Sequence, residues 1–493
     1  MPDKLNILLI VTDQHRWDAL SAYGNELCPT PNIDRLAREG VRFNNAFTPT
    51  AICGPARASL FTGLMPHNHG VVGNSEKHSK MGQKADIAPD VKTLADYLEG
   101  TEHIPYVLGK WHVEETRVPS DFGMRGHDFK GYAHPGVGVW RDFLFDLAPE
   151  SGNPYRDWLE ARGTEPPRVT RAFQGNNPGC QNQELYGLLD APEEASIPWF
   201  VADETIRCMD EAAREGRPFF AWANFWGPHT PCVLPEPYFS MFDPANIPEH
   251  PSFRETFEGK PTHQRTLSKM WGLYDFGWDT WREIVARYYG YVAQIDRMVG
   301  RMIRHLEETG LLDRTVVVFL SDHGDAMGAH RLIEKGEFMY DETYRIPMIA
   351  RHPACLTPGA VCDAFVYLHD LCPTVADLAG GRVPSLADSQ SILPQMLDAE
   401  TDTGREFAYG QFTRHFVQFN QRMLRTRTRK LIYNAPSVSE LYDLEKDPHE
   451  MLNLITAPGY AEDKRRLLDM LDAEMVRLGD PMINWFRRVR LVV

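Results

Sequence analysis

Leu5-Asn-Ile-Leu-Leu-Ile-Val11, followed at once by Thr12-Asp13-Gln14, is the stretch on which the fold turns. Apart from Asn6 the run is apolar, and it is far shorter than the ~20 residues that cross a bilayer. It shows no alternation, so it reads as a strand covered on both faces, as in a central parallel strand. Polar residues at its end then stand at the carboxyl edge of a sheet, where open α/β folds place ligands. The pattern returns twice. Thr315–Leu320 runs into Ser321-Asp322-His323-Gly324-Asp325, and Pro218–Asn224 leads to Gly227-Pro228-His229. Tyr106–Leu108 reads as a further short strand. Helical signals lie between them. Thr30-Pro31 gives an N-cap and first-turn proline, with Gly40 closing the helix. Helices are also expected over Val91–Glu99 and Glu283–Thr309. The alternation predicts an α/β fold, a doubly wound and mostly parallel sheet flanked by helices.

That domain is expected over 1–381. Insertions near 115–195 and 230–282, rich in Gly, Pro and aromatics such as Trp271, Trp278 and Trp281, lie over the strand ends, where specificity resides. A polar connection, 382–404, leads to a smaller C-terminal α+β subdomain, 405–493. There Phe407–Phe412, Gln421–Arg425 and Lys430–Tyr433 read as an antiparallel sheet, and Ala461 to Leu478 as a helix. The basic, apolar end, Phe486-Arg-Arg-Val-Arg-Leu-Val-Val493, reads as a final strand, with a homo-oligomer contact as the alternative.

The 493 residues carry a net charge of −16 without a long basic tract, which argues against nucleic acid as a partner. No apolar run reaches membrane-spanning length, so no membrane partner is expected. Lys4 and the short run after it do not make a signal peptide. The eight cysteines are scattered without a Cys-x-x-Cys pair, which suits a reducing compartment. The expectation is a cytoplasmic protein.

Candidate chemistry centres on Cys53-Gly-Pro-Ala-Arg-Ala-Ser-Leu-Phe-Thr-Gly63. Pro55 fits a first helical turn and Gly63 a C-cap. Cys53 then stands at a helix N-terminus, where free N–H groups favour an anion, and Arg57 lies one turn on. An isolated Cys-x-Pro-x-Arg also fits a buried cysteine at a helix start. The neighbours decide: Asp13-Gln14, Gly109-Lys110-Trp111-His112, Gly227-Pro228-His229, Asp322-His323 and Lys335 follow in order, and Glu440-Leu-Tyr-Asp-Leu-Glu-Lys-Asp-Pro-His-Glu-Met-Leu-Asn-Leu454 closes the series.

Across essentially the whole chain these segments resemble the type I sulfatases of the alkaline phosphatase superfamily, close to the branch of arylsulfatases and phosphonate monoester hydrolases. The resemblance implies a sulfuric ester hydrolase whose Cys53 is oxidised to formylglycine by a formylglycine-generating enzyme, the hydrated aldehyde being the nucleophile. It implies one divalent metal held by Asp13, Gln14, residue 53, Asp322 and His323, with Ca2+ first and Mn2+, Mg2+ or Zn2+ open. Many members have a second aspartate where this chain has Gln14. Arg57, Lys110, His112, His229 and Lys335 are the implied catalytic residues; Lys110, His229 and Lys335, with Asn74, contact the substrate. His229 is the implied general acid. His103 and Pro105 stand where the family has an aromatic and a threonine. Asp325 and His330 read as structural. The substrate is a small-molecule sulfate ester, with aryl, choline-like and sugar esters all open.

Three other readings compete. A phosphonate monoester or phosphodiester hydrolase of the same superfamily shares the modified cysteine and accommodates Gln14, Asn74, His323 and Lys335. Gly-Lys-Trp-His favours sulfate, because two cationic groups there suit it. A non-catalytic anion-binding member requires Cys53 to stay a thiol. A thiol-redox protein lacks a nearby resolving cysteine.

Overall fold

The computed structural model describes residues 4–74, 85–131, 133–135, 152–174, 184–415, 418–434 and 436–490. The expected central strand is β1 (Asn6–Asp13), buried along its whole length. In chain order the same sheet takes β2 (Val41–Phe47), β3 (Ile104–Gly109), β4 (Arg125–Gly126), β5 (Phe219–Pro228), β6 (Thr315–Ser321), β7 (Met348–Arg351) and β8 (Val361–Tyr367). The order across the sheet is β8-β2-β7-β6-β1-β5-β3-β4. β1 pairs parallel with both β5 and β6, and only β7 runs against its neighbours.

Side chains of a strand alternate between faces, and β1 shows why its sequence does not alternate. Leu8 and Ile10 pack with Phe200 and Val201 of the helix Ile197–Glu215 and Val292 and Ile295 of the helix Trp278–Glu308. Ile7, Leu9 and Val11 pack on the other face with Ala56, Leu60 and Phe61 of the helix Cys53–Thr62 and Leu371 of the helix Leu371–Ala379. Water reaches neither face, and the carboxyl ends of β1, β5, β6 and β3 converge on one edge.

The insertions are more regular than their composition suggests. Arg168–Gln174 pairs antiparallel with Glu184–Asp190, which pairs parallel with Cys232–Leu234 in a small second sheet. The expected helix over 91–99 is trimmed to Leu94–Leu98, because Asp96 reaches back to the Thr93 N–H at 2.8 Å and caps it there.

The C-terminal part forms β9 (Phe407–Arg414), β10 (Gln418–Thr426), β11 (Arg429–Tyr433) and β12 (Glu440–Asp443), an antiparallel sheet in sequence order. The helix Ala461–Leu478 covers it through Leu467, Leu471 and Met475. Ala408, Met423, Ile432 and Tyr442 join it to Phe47, Tyr344 and Phe365 of the larger part. Where the sequence predicts a final strand over 486–493, the described residues form a helix, Ile483–Val489, and 491–493 lie outside them. Its inward residue, Phe486, meets the Tyr433 ring edge-on at 4.9 Å, while Ile483 and Val489 touch the core from the same helical face. That three-residue spacing suits a helix and defeats a period of two.

Candidate functional site

Asp13 ends β1, Asp322 and His323 follow β6, Lys110 follows β3, and Cys53 opens the helix Cys53–Thr62. The topology thus gathers residues far apart in sequence at one sheet edge. All are buried. The ligand atoms of Asp13, Cys53, Asp322 and His323 lie within 4.8 Å of one another. Cys53 Sγ is 3.1 Å from His323 Nε2 and 3.7 Å from Asp13 Oδ1. His323 Nδ1 lies 2.8 Å from the Gly324 carbonyl, which requires a donor there and leaves the Nε2 lone pair facing Cys53. Burial holds His323 below its ordinary pKa despite Asp322 beside it, so the ring is neutral. Burial alone would raise Asp13; Lys110, then His229, Arg57 and His323, hold its carboxyl well below the usual range. Two carboxylates and a neutral imidazole around residue 53 suit a divalent cation in charge and donor type.

Arg57 braces this cluster. Its Nε donates to Asp322 Oδ2 at 2.8 Å and its Nη2 to Asp13 Oδ2 at 3.5 Å. Its Nη1 donates to Asn224 Oδ1 at 2.8 Å and to the Lys110 carbonyl at 3.3 Å. Lys110 Nζ donates to Asp13 Oδ2. Gly109 makes that approach possible: it has φ +82°, and a Cβ there would stand 2.1 Å from the Asn224 carbonyl oxygen. His112 has φ +46° and is held well below its ordinary pKa by burial, Lys110 and Arg57. A Cβ on Gly54 would be 3.5 Å from His112 Nε2 and 3.0 Å from Asn74 Oδ1, so both side chains press on the turn beside residue 53. Asn74 Oδ1 accepts the Gly54 N–H at 3.0 Å.

Gln14, with φ +65°, links this cluster to a second group of charges. Its amide nitrogen donates to Asp325 Oδ2 at 2.6 Å, and its amide oxygen accepts from Lys335 Nζ at 2.6 Å. Lys335 also lies 2.6 Å from His229 Nε2 and 2.8 Å from Glu334 Oε2. Burial opposes the Lys335 charge, but the Cys53 site and Glu334 raise its pKa, so it stays protonated. His229 Nδ1 is 2.6 Å from the Thr230 carbonyl, which makes it the donor and leaves Nε2 toward Lys335. Glu334 has φ +65°, lies 3.6 Å from His229 Nε2 and accepts from Thr230 Oγ1. Burial would raise Glu334; His229 and Lys335 hold it down. Left-handed backbone costs about 1–2 kcal/mol per non-glycine residue, and Gln14, His112 and Glu334 all adopt it at the site.

Every candidate site residue named from sequence therefore lies in this one region. Asp325 braces it, accepting from Gln14 and from the Met327 and Glu334 N–H groups at 2.7 and 2.9 Å. His330 stands apart, stacked on Tyr340 at 3.7 Å and bonded to Glu255. His103 lies at the amino end of the sheet, 2.9 Å from the Leu5 carbonyl. Sequence reading missed Asn224, Glu334, His134 and His415. Asn224 left a signal, a polar residue ending an apolar strand just before Gly-Pro-His. His134 and His415 are pushed down to about 3 by burial, with Lys110 next for His134 and Lys335 next for His415.

Residues 5–381 match the family model described as Sulfatase, and residues 328–477 the one described as N-sulphoglucosamine sulphohydrolase, C-terminal. An arylsulfatase from Clostridium perfringens is 29% identical over 477 residues, spanning 93% of this chain and 92% of its own. A multifunctional alkaline phosphatase superfamily protein from Trinickia caryophylli is 28% identical over 503 residues, with 92% of each chain covered. The solved structure of the phosphonate monoester hydrolase of Agrobacterium radiobacter is similar at a TM-score of 0.77 and 26% identity, over 96% of each chain.

Proposed function

The chain belongs to the sulfatase family of enzymes, and from that membership we propose that it hydrolyses small-molecule sulfate monoesters at residue 53. The observation that carries the proposal is the buried set of Asp13, Cys53, Asp322 and His323, with Arg57, Lys110 and Lys335 ranged around it.

Cys53 is the precursor of a formylglycine installed by a formylglycine-generating enzyme, and the hydrate of that group supplies the nucleophilic hydroxyl. Asp13, Asp322, His323 and residue 53, with Gln14 adjoining, are the residues to hold a divalent cation; when bound, it offsets charge on the sulfuryl oxygens and acidifies the hydroxyl. The oxygen-rich donor set favours Ca2+. Arg57 fixes both carboxylates through one planar fork, which a flexible ammonium cannot do. Lys110 and Lys335 supply positive charge for the sulfuryl oxygens as their charge develops. His229 is the proton relay to the leaving oxygen: the Thr230 carbonyl holds its Nδ1–H, so Nε2 takes a proton from Lys335 Nζ, 2.6 Å away, and passes it to the leaving oxygen. His112, held neutral beside Gly54, is able to accept a proton at the next stage. The seven cysteines among the described residues form no disulfide, which supports a reducing compartment. No helix among the described residues is long and apolar enough to cross a membrane.

A second reading, phosphonate monoester hydrolysis, draws on Gln14 in place of a second carboxylate and on the likeness to the Agrobacterium radiobacter hydrolase. Two measurements test the proposal. Peptide mass spectrometry is expected to find residue 53 with its sulfur exchanged for an aldehyde oxygen that a hydrazine probe traps. Steady-state turnover is expected to favour an aryl sulfate over the matching phenyl phosphonate ester. An unmodified thiol in protein from its native host would sink the nucleophile, and the opposite preference would move the enzyme to the second reading.

A further inference from the structure

Five arginines are buried among the described residues: Arg16, Arg57, Arg414, Arg422 and Arg425. Four end on a carboxylate. Arg16 meets Asp18 at 2.6 Å, Arg57 meets Asp322 at 2.8 Å, Arg422 meets Asp480 at 2.5 Å and Arg425 meets Asp341 at 3.2 Å. Arg414 is the exception. It is 7% exposed, its side chain makes no hydrogen bond or ion pair among the described residues, and its Nε is buried without a partner. A buried guanidinium nitrogen left without an acceptor is costly and is normally avoided.

Its position supplies the reason. Arg414 ends β9 where the hairpin turns toward β10. Its stem lies on Gly73: a Cβ there would stand 2.6 Å from Arg414 Cγ and 2.7 Å from Nε, so only glycine leaves it room. The next residue is Asn74, whose Oδ1 holds the Gly54 N–H beside Cys53. The residue after Arg414, His415, has its ring 4.0 Å from the Cβ position of Gly336, next to Lys335. The end of β9 thus lies beside the site of the larger domain. Arg414 is joined to the site through Gly73 and Asn74, and not through Arg57, Lys110 or Lys335.

We propose that Arg414 binds a second anionic group, a carboxylate or a further sulfate, on the alcohol portion of the sulfate ester, and that the preferred substrates are accordingly dianionic. This rests on the sulfatase reading and gives it a substrate class. The guanidinium presents parallel N–H donors that match either planar carboxylate or sulfate oxygens, and both groups share that chemistry. Arg414 is a specificity residue; it touches no reacting atom.

The test compares kcat/KM of the mature wild-type enzyme for 3-carboxyphenyl sulfate, for 1,3-phenylene disulfate and for the uncharged methyl ester of the first. Each charged-to-neutral ratio is then measured again in Arg414→Met and Arg414→Lys. Intrinsic leaving-group reactivity cancels between enzymes. The expected result is that Arg414→Met lowers the ratio about tenfold to a hundredfold, the worth of a hydrogen-bonded charge. Arg414→Lys, which keeps the charge and loses the fork, falls between and serves if the methionine variant does not fold. The anion with the larger drop identifies the group. Arg254→Gln, an exposed arginine elsewhere, controls for general electrostatics. An unchanged ratio in the Arg414 variants, or an equal drop in Arg254→Gln, overturns the inference while leaving the sulfatase reading in place. If wild type hydrolyses none of the three sulfates, the sulfatase reading falls and this inference with it.

Discussion

Arg57 touches both carboxylates of the cluster, Asn224 and the Lys110 carbonyl with one rigid group. Lysine keeps the charge but can satisfy only part of that set. Arg57→Lys is therefore expected to lower kcat/KM by about 10²–10³, the usual cost of losing one pre-organised donor. A loss below tenfold in steady-state assays would show that charge alone suffices there. Much of this residue-level site is legible in the sequence, for a physical reason. A strand's carboxyl end is a short local signal, so Asp13, Lys110, His229, Asp322 and His323 can each be placed from the apolar run before them. Glu334 and His415 follow no such run. They reach the site because a loop after β6 folds back and because a hairpin from the other sheet descends, and neither event is written locally. Arg414 is invisible for a further reason: its lack of a partner is a property of the packed molecule alone.

At the scale of elements, β1, β5 and β6 can be read because covering both faces demands an unbroken apolar run. β2, β7 and β8 cannot. β2 carries Asn44-Asn45, β7 has four residues, and β8 opens on exposed Val361 and Asp363, so none shows a clean period. Tertiary pairing overrides their weak local preference. The helix Ala461–Leu478 is legible to within a residue or so, since its apolar face repeats and Gly479 closes it with φ +69°. Its attachment depends on Asp480 just beyond. That buried carboxylate accepts from Arg422 Nε and from Tyr409 Oη, both at 2.5 Å. Asp480→Ala leaves the Arg422 charge buried alone and should cost about 3–5 kcal/mol. Denaturant unfolding monitored by tryptophan fluorescence checks this; a loss below about 1 kcal/mol, the range of exposed pairs, would mean that water replaces the carboxylate.

For the whole molecule, a net charge of −16 surrounds a site built to receive anions, so the cations that matter had to be concentrated and shielded. Histidines show the electrostatic cost of so much burial. Among the described residues twelve are held below their ordinary pKa, chiefly by burial, and His15, His69, His250 and His330 reach about 3. Among the described residues four carboxyls, Asp296, Asp325, Glu342 and Glu450, are displaced upward and act in the opposite sense. Below pH ~6.5 the unfolded chain binds protons that the folded histidines refuse, so stability falls as pH falls. Each fully buried neutral histidine contributes about 1.4 kcal/mol per pH unit in that window, and a domain has only ~5–15 kcal/mol to lose. Thermal melts should show a steep drop in Tm between pH 6.5 and pH 5; a flat profile there would mean that these rings take up protons while folded. Cys53 offers a last consequence, one of timing. Its side chain is fully buried, with Sγ 3.1 Å from His323 Nε2, so a modifying enzyme has no access to it in the folded chain. If residue 53 is converted to formylglycine as proposed, conversion and folding race for the same residue, and a molecule that folds first remains a thiol. Purified, folded thiol protein should stay unconverted when mixed with a formylglycine-generating enzyme, while an unfolded peptide spanning residues 50–64 is converted. On that proposal the active fraction is set by the order of two events on the newborn chain, and not by the affinity of the finished one.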